Sequence, residues 1–187
     1  MAKSPTTAQV ALLRAVNVGG HGKVAMAELR RTLERRGFAN VQTLMQTGNL
    51  ILRDAPAEGA KLQRLIETEL QAGLGLTTDV FVRSESEWSE VIANNPFPEF
   101  AKDDPSHLVV VFLHSPVSEC WLRAARATTR GPERVEAAGR HLYITYPDGI
   151  GRSRLRLPPK DSGQDARGTA RNWNTLLKLA AALEAGA

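Results

Sequence analysis

The sequence predicts an α+β protein built from two ferredoxin-like (split βαβ) halves in tandem, each an antiparallel sheet with its helices packed on one face. Three observations carry that expectation. Short apolar runs of strand length alternate with segments whose apolar residues recur at helical spacing. In the first half these take the order β-α-β-β-α-β, the split βαβ arrangement. The second half repeats most of that order as β-α-β-β-α. The halves are placed at residues 1–84 and 85–187, the second ending in a C-terminal helix. The duplication rests on element order, since no residue-level repeat is visible.

Val10-Ala11-Leu12-Leu13 reads as a buried strand. Ala25 to Arg36 is a helix, with Met26, Leu29 and Leu33 at helical spacing and Gly37 as its left-handed stop. Val41, Thr43 and Met45 alternate as a strand, and Thr47-Gly48-Asn49 turns the chain into Leu50-Ile51-Leu52. Leu62, Leu65, Ile66 and Leu70 mark a second helix, and Val80-Phe81-Val82 closes the first half. The other face of this sheet is expected to stay open for a partner.

Ser84 stands three residues before Glu87, a capping box that opens a helix carrying Trp88, Val91 and Ile92. Asn94-Asn95-Pro96-Phe97-Pro98 stops it as a stiff connection. Leu108 to Leu113 is apolar without alternation, the pattern of a central strand buried on both faces. Ser115 and Pro116 predict an N-cap and first turn, with Val117, Cys120, Trp121 and Ala124 packing behind them. Cys120 is therefore expected to be buried and inert. Two strands flank Ala138-Gly139, the second being Leu142 to Tyr146, and Pro147-Asp148-Gly149 turns the chain. The last helix packs Trp173, Leu176, Leu177, Ala180 and Leu183.

Composition narrows the function. The chain has 187 residues, 42% of them hydrophobic and 24% charged, which argues against global disorder. No apolar run approaches the roughly 20 residues that span a membrane, and the N-terminus lacks the apolar core of a signal peptide. A cytoplasmic protein without a membrane partner is expected. A single cysteine excludes an internal disulfide and a cysteine-based zinc site. The four histidines are scattered, with no pair spaced for metal on one element, so no metal is expected. The net charge of +4 is unevenly spread: residues 120–175 carry eleven arginines and lysines, from Arg123 to Arg171, against five acids, and invite a nucleotide or nucleic acid. The bland reading of those arginines is a solvated surface. Five per cent aromatics leave few platforms for stacking single-stranded bases.

Two polar motifs stand out. Arg14 to Lys23 comes after a strand and precedes a helix; Gly168 to Thr175 precedes the last helix. Both put cationic and amide groups where backbone N–H groups lack partners, which is the chemistry of an anion site and also an ordinary way to finish a helix. Gly20-x-Gly22-x-x-Ala25 matches a dinucleotide fingerprint, but no acidic residue stands where the ribose would need one. A Walker A loop fails because Asn17 replaces its first glycine and Val24 comes directly after Lys23. No cofactor is therefore expected. His21 is the one histidine within a polar motif, as a general acid or base or as loop surface.

The residues Leu13 to Gly20, Met26 to Arg30, Gly37-Phe38-x-Asn40-Val41, Gln46-Thr47-Gly48-Asn49, Asn95-Pro96-Phe97 and Thr169 to Thr175 resemble the family named domain of unknown function 1697. The resemblance spans nearly the whole chain in order. It implies two ferredoxin-like halves and brings no established activity with it. The chain departs from the family pattern at His21, where another polar or cationic residue is usual. Ser153-Arg154-Leu155 resembles the family's Ser-Lys-Leu segment, but Pro158-Pro159 interrupt the chain beyond it. Arg152, Arg154 and Arg156 either share a strand face or fan around a short helix.

The expected function is binding of a small anionic ligand, a phosphate, nucleotide or carboxylate. Arg14, Lys23 and Arg171 would neutralise its charge, and Asn17, Gln46, Asn49, Asn172 and Asn174 would orient it. Gly19 and Gly20 would allow close backbone approach. The alternatives are a nucleic-acid binder using the basic second half and a small-molecule enzyme using His21.

Overall fold

The computed structural model describes residues 8–17, 24–158 and 167–185. They form two compact units. The first holds the residues up to Ser89 together with those from Leu179 onward, and the second is Glu90–Lys178. Among the described residues no helix is long and apolar enough to cross a membrane.

In the first unit the strands are β1 (Ala8–Leu13), β2 (Val41–Leu44), β3 (Asn49–Arg53) and β4 (Val80–Ser84), with α1 (Met26–Arg35) and α2 (Gly59–Leu74) between them. The antiparallel sheet runs β2-β3-β1-β4, which places the first strand in the middle. Val10 lies opposite Ile51 on one side and Arg83 on the other. Ala11, Leu13, Leu50, Leu52, Val80 and Val82 meet Leu29 and Leu33 of α1 and Leu62, Ile66 and Leu70 of α2 in one core. Gly37, at φ 88°, ends α1 as expected.

The expectation of an open sheet face is corrected. Val10, Leu12, Ile51 and Phe81 alternate with the core residues and are fully buried as well. The reason is legible in the strands: both alternating sets are apolar, so neither suits water. Met45 also leaves its predicted strand. It sits in the turn after β2 at φ 61°, half exposed.

In the second unit the strands are β5 (Leu108–Leu113), β6 (Arg134–Ala138), β7 (His141–Thr145) and β8 (Gly168–Asn172). The sheet runs β6-β7-β5-β8, the same permutation as the first. α5 (Glu119–Thr128) buries Trp121, Leu122 and Ala125 against Leu113, Val135, Leu142 and Ile144. On the opposite face Val110, Phe112 and Tyr143 are buried too. α3 (Glu85–Ala93), which starts in the first unit and ends in the second, begins at the expected capping box, with Glu87 N–H donating to Ser84 Oγ at 3.2 Å and Ser84 N–H donating to Glu87 Oε2 at 2.9 Å. The segment read as a stiff connection leads at Pro98 into a short helix, α4 (Pro98–Asp103).

Three further expectations are corrected. Residues 168–172 are a strand and not only a helix mouth; β8 pairs with β5 from Gly168–Leu113 to Asn172–Val109. As an edge strand it is hydrogen-bonded to one neighbour and needs no apolar run. Gly168 is required there, because a Cβ would lie 2.8 Å from the Phe112 carbonyl oxygen. Secondly, α5 starts at Glu119, with Ser118 Oγ accepting from Trp121 N–H at 3.2 Å, so Ser118 replaces Ser115 as the cap. Val117 N–H donates to the Gly139 carbonyl instead, which keeps it out of a helix. This later start turns the buried face onto Trp121, Leu122 and Ala125 and leaves Cys120 exposed. Finally, α6 (Trp173–Glu184) buries Trp173, Leu176, Leu179 and Leu183, while Leu177 is exposed.

Exposed Cys120 should react with a thiol reagent in the native protein at close to the rate seen in urea; slow labelling that urea accelerates would return it to the core. Tyr143 offers a pH test. Its hydroxyl donates to the Val91 carbonyl at 2.7 Å, and burial pushes its pKa up from 10 to about 12. A raised folded-state pKa gives stability that is complete below the unfolded value and is lost as pH rises through the folded one. Tyr143→Phe should therefore cost about 1 kcal/mol near neutral pH. It should also flatten the fall of Tm between pH 10 and pH 12. An equally steep fall in the variant would assign that titration to another group.

Candidate functional site

The first polar motif is described only at its start, Arg14 to Asn17. Val18, Gly19, Gly20, His21, Gly22 and Lys23 lie outside the described residues. Asn17 is tied to Val24 and to the β2–β3 turn by both ends of its amide. Its Oδ1 accepts from Val24 N–H at 2.9 Å, and its Nδ2 donates to the carbonyls of Val24 at 2.9 Å and Gln46 at 2.8 Å. Ala15, Asn17 and Met45 all have left-handed backbones, at φ 55°, 57° and 61°. Such strain costs about 1–2 kcal/mol per residue without asparagine's local hydrogen bonding, so the surrounding contacts hold it in place. Buried Val16 anchors the stretch.

Arg14 points toward β4. Its guanidinium lies 3.4 Å from the Asp79 carboxylate, and its carbonyl accepts from Thr78 Oγ1 at 2.8 Å. Asn49 is fully buried, and its Nδ2 donates to the Leu44 carbonyl and to Thr47 Oγ1. Gln46 is exposed, its carbonyl engaged by Asn17. Gly48 has φ 70°, and a Cβ there would come within 2.8 Å of Leu13 Cβ. The Gln46–Asn49 segment thus turns the chain directly against the central strand.

The second motif divides between a strand and a cap. Asn172 Oδ1 accepts from Thr175 N–H at 3.0 Å and from its hydroxyl at 2.7 Å, so Asn172 caps α6. Asn174 is half-buried in the first turn. Arg171 donates from Nη1 to Thr169 Oγ1 and to the Ala170 carbonyl, both at 2.8 Å, and burial pushes its pKa down to about 10. Arg14, Asn17, Gln46 and Asn49 belong to the first unit, and Arg171, Asn172 and Asn174 to the second.

A further constellation lies within the second unit. After a single 3-10 turn at Ile150–Arg152, residues 153–158 run without regular structure. Ser153 and Leu155 face inward, Leu155 packing on the α5 core, while Arg154 and Arg156 are exposed. Three ties fix this segment. Ser153 Oγ donates to Glu133 Oε1 at 2.5 Å, Leu155 N–H donates to Ser153 Oγ at 3.0 Å, and Thr128 Oγ1 donates to the Arg156 carbonyl at 2.9 Å. Arg130, Arg154 and Arg156 then line a groove of about 740 Å³ with Thr128 and Ser153. Among the described residues none of these three arginines forms an ion pair. Nearby Arg126, by contrast, pairs with Glu136.

Glu133 is the acid of this region. Its side chain is buried, and the Ser153 hydroxyl, then the backbone N–H groups of Glu133 and Arg154, hold its carboxyl below the usual range. In the sequence Glu133 is only one opposing charge among many arginines; a preceding glycine at 131 is the faint signal that its side chain folds back on the chain. Elsewhere His107 Nδ1 meets Asp104 Oδ2 at 2.6 Å, and this contact, with a smaller effect of Ser106, holds the Asp104 carboxyl below its ordinary value. Among the described residues no group of three or more His, Cys, Asp or Glu side chains is placed to hold a metal.

Comparison with known proteins yields two likenesses. A family model described as "Protein of unknown function (DUF1697)" matches residues 6–143, stopping before β8 and the second motif. Among solved structures, the conserved bacterial protein SP0830 from Streptococcus pneumoniae is 20% identical, with a TM-score of 0.72 over 94% of this chain and 97% of that one. This second likeness is one of fold. No curated protein matches the chain significantly.

The two residues flanking Ala15-Val16 should behave differently on substitution. Asn17→Ala removes three hydrogen bonds at a left-handed residue and should cost about 2–3 kcal/mol. Arg14→Ala breaks a pair whose arginine side chain is 46% exposed and should cost under about 1 kcal/mol. Denaturant midpoints of the two variants compare them directly, and equal losses would contradict this ranking.

Proposed function

The chain belongs to the family described as protein of unknown function DUF1697, and from that premise we propose that it is a binding protein for a small anionic ligand, held in the groove of Arg130, Arg154 and Arg156. The observation that carries this reading is the convergence on one groove of three guanidinium groups that have no carboxylate partner among the described residues. Guanidinium groups bind phosphate and carboxylate through paired N–H donors, and a like-charged cleft draws anions toward it.

Two supports favour the groove over the motifs that the sequence singled out. The amides of Asn17, Asn49 and Asn172 are committed to backbone partners, and Arg14 is paired with Asp79. The arginines, moreover, are not required to finish α5, although they lie near its C-terminus. The hydroxyls of Thr128 and Thr129 donate to the Ala124 and Ala125 carbonyls there. A cation near a helix C-terminus gains a little from the dipole, but that gain needs one charge and not three.

The test is ligand-dependent melting. Phosphate or a nucleotide at one hundred times Kd should stabilise the protein by about 2.7 kcal/mol and raise Tm by several degrees. The triple variant Arg130→Ser, Arg154→Ser, Arg156→Ser should keep its unliganded Tm and lose that rise. A rise that survives in the triple variant would place the anion elsewhere. Tight binding of an oligonucleotide with steep salt dependence, and no response to small anions, would replace this reading with nucleic-acid binding.

A further inference from the structure

We propose that the ligand of the arginine groove is a phosphorylated sugar, its phosphate on Arg130, Arg154 and Arg156 and one sugar hydroxyl donating to Glu133 Oε2. This rests on the anion reading above and adds the second half of the ligand.

Among the described residues one buried carboxylate oxygen, Glu133 Oε2, has no hydrogen-bond partner. Glu133 is 7% exposed, and its two carboxylate oxygens are treated differently. Oε1 accepts from Ser153 Oγ, whereas Oε2 is buried with no hydrogen bond. A buried acceptor without a donor is costly to a fold, and more so when it carries charge. The Ser153 hydroxyl favours the ionised form, so the carboxyl does not escape that cost by taking up a proton. A donor supplied from outside would relieve it.

The surroundings say what kind of donor. Oε2 lies against Gly131, where a Cβ would come within 2.0 Å of it, so the oxygen has room only because residue 131 lacks a side chain. Gly131 and Glu133 line a cavity of about 240 Å³ together with Thr129, Arg126 and Arg134. Arg126 is paired with Glu136, and the Arg134 guanidinium lies over the Phe97 ring, 4.8 Å from its centre. Glu136 also lines the cavity, so its two arginines and two carboxylates balance and nothing there selects a cation. A neutral hydroxyl fits such a balanced site, and a charge-assisted O–H···O⁻ bond is among the stronger kinds.

The same glutamate joins this cavity to the groove. Its Oε1 holds Ser153, which lines the groove beside Arg154 and Arg156. A ligand anchored there by phosphate and carrying hydroxyls a few bonds away has the chemistry of a sugar phosphate, whether free or within a nucleotide.

Titration calorimetry on the intact chain tests this with inorganic phosphate, ribose 5-phosphate and adenosine 5′-monophosphate. The expected result is that ribose 5-phosphate binds at least about tenfold more tightly than inorganic phosphate, as one strong hydrogen bond predicts. Adenosine monophosphate binding like ribose 5-phosphate identifies the sugar phosphate itself as the recognised unit, and still tighter binding identifies a nucleotide; both support the proposal. Glu133→Gln keeps an acceptor for Ser153 and should erase the tenfold preference while leaving phosphate affinity intact. Gly131→Ala puts a methyl group 2.0 Å from Oε2, so the carboxylate must move away, and the variant should lose the same preference. Equal affinities for phosphate and ribose 5-phosphate in the unaltered protein would overturn the sugar inference and leave the anion reading standing. A preference that survives in both variants would overturn it as well. Failure of all three compounds to bind would remove the anion reading together with it.

Discussion

Everything in this molecule is arranged around two strands that have no free edge. β1 is hydrogen-bonded to β3 and β4, and β5 to β7 and β8. A strand paired on both sides and covered on both faces offers a polar side chain no water. β1 and β5 are accordingly almost wholly apolar. Gln9 shows the terms on which an exception is allowed. It is buried, and its amide donates to the Ala57 carbonyl and accepts from Gly59 N–H, so the one polar group in β1 is satisfied and fixes the start of α2.

The same demand for backbone partners governs the reversals. Asparagine carries an acceptor and two donors on a short stem, so it can replace a missing backbone neighbour in a tight turn. Asn17, Asn49, Asn95 and Asn172 all do this, at the loop before α1, the β2–β3 turn, the approach to α4 and the cap of α6. Amide-rich motifs beside helices therefore have two physical meanings that composition cannot separate. The partners of each amide decide between them.

Legibility in the sequence tracks the strength of the constraint. The central strands and the faces of α1 and α2 are readable because burial leaves one pattern of residues that works. β8 is not, since an edge strand of five residues with Gly168, Arg171 and Asn172 has neither an apolar run nor clean alternation. The face of α5 is misplaced by a single choice of cap. Two serines, Ser115 and Ser118, both suit an N-cap, and only the bond from Val117 N–H to the Gly139 carbonyl, made across the sheet, selects the second. That choice moves Cys120 from core to surface. Burial of the far sheet faces is implied by Val10, Leu12 and Phe81, whose apolar character no open face would need.

The groove depends on pieces that are individually visible and jointly hidden. Ser-Arg-Leu-Arg over 153–156 alternates like a strand, yet it pairs with none; its geometry comes from Ser153 on Glu133, Leu155 in the core and the Arg156 carbonyl on Thr128. These tie points lie 20 to 28 residues away in the chain, beyond any local pattern. A segment tied at successive residues loses little further freedom when a ligand arrives, so its arginines are presented rather than merely exposed. Glu133 has a double part in this. One of its oxygens orders the basic segment from within, and the other has no hydrogen-bond partner among the described residues. Replacing it with a residue that cannot accept from Ser153 would relax both the segment and the unmet oxygen, whereas a bound hydroxyl would relieve the oxygen and leave the segment in place.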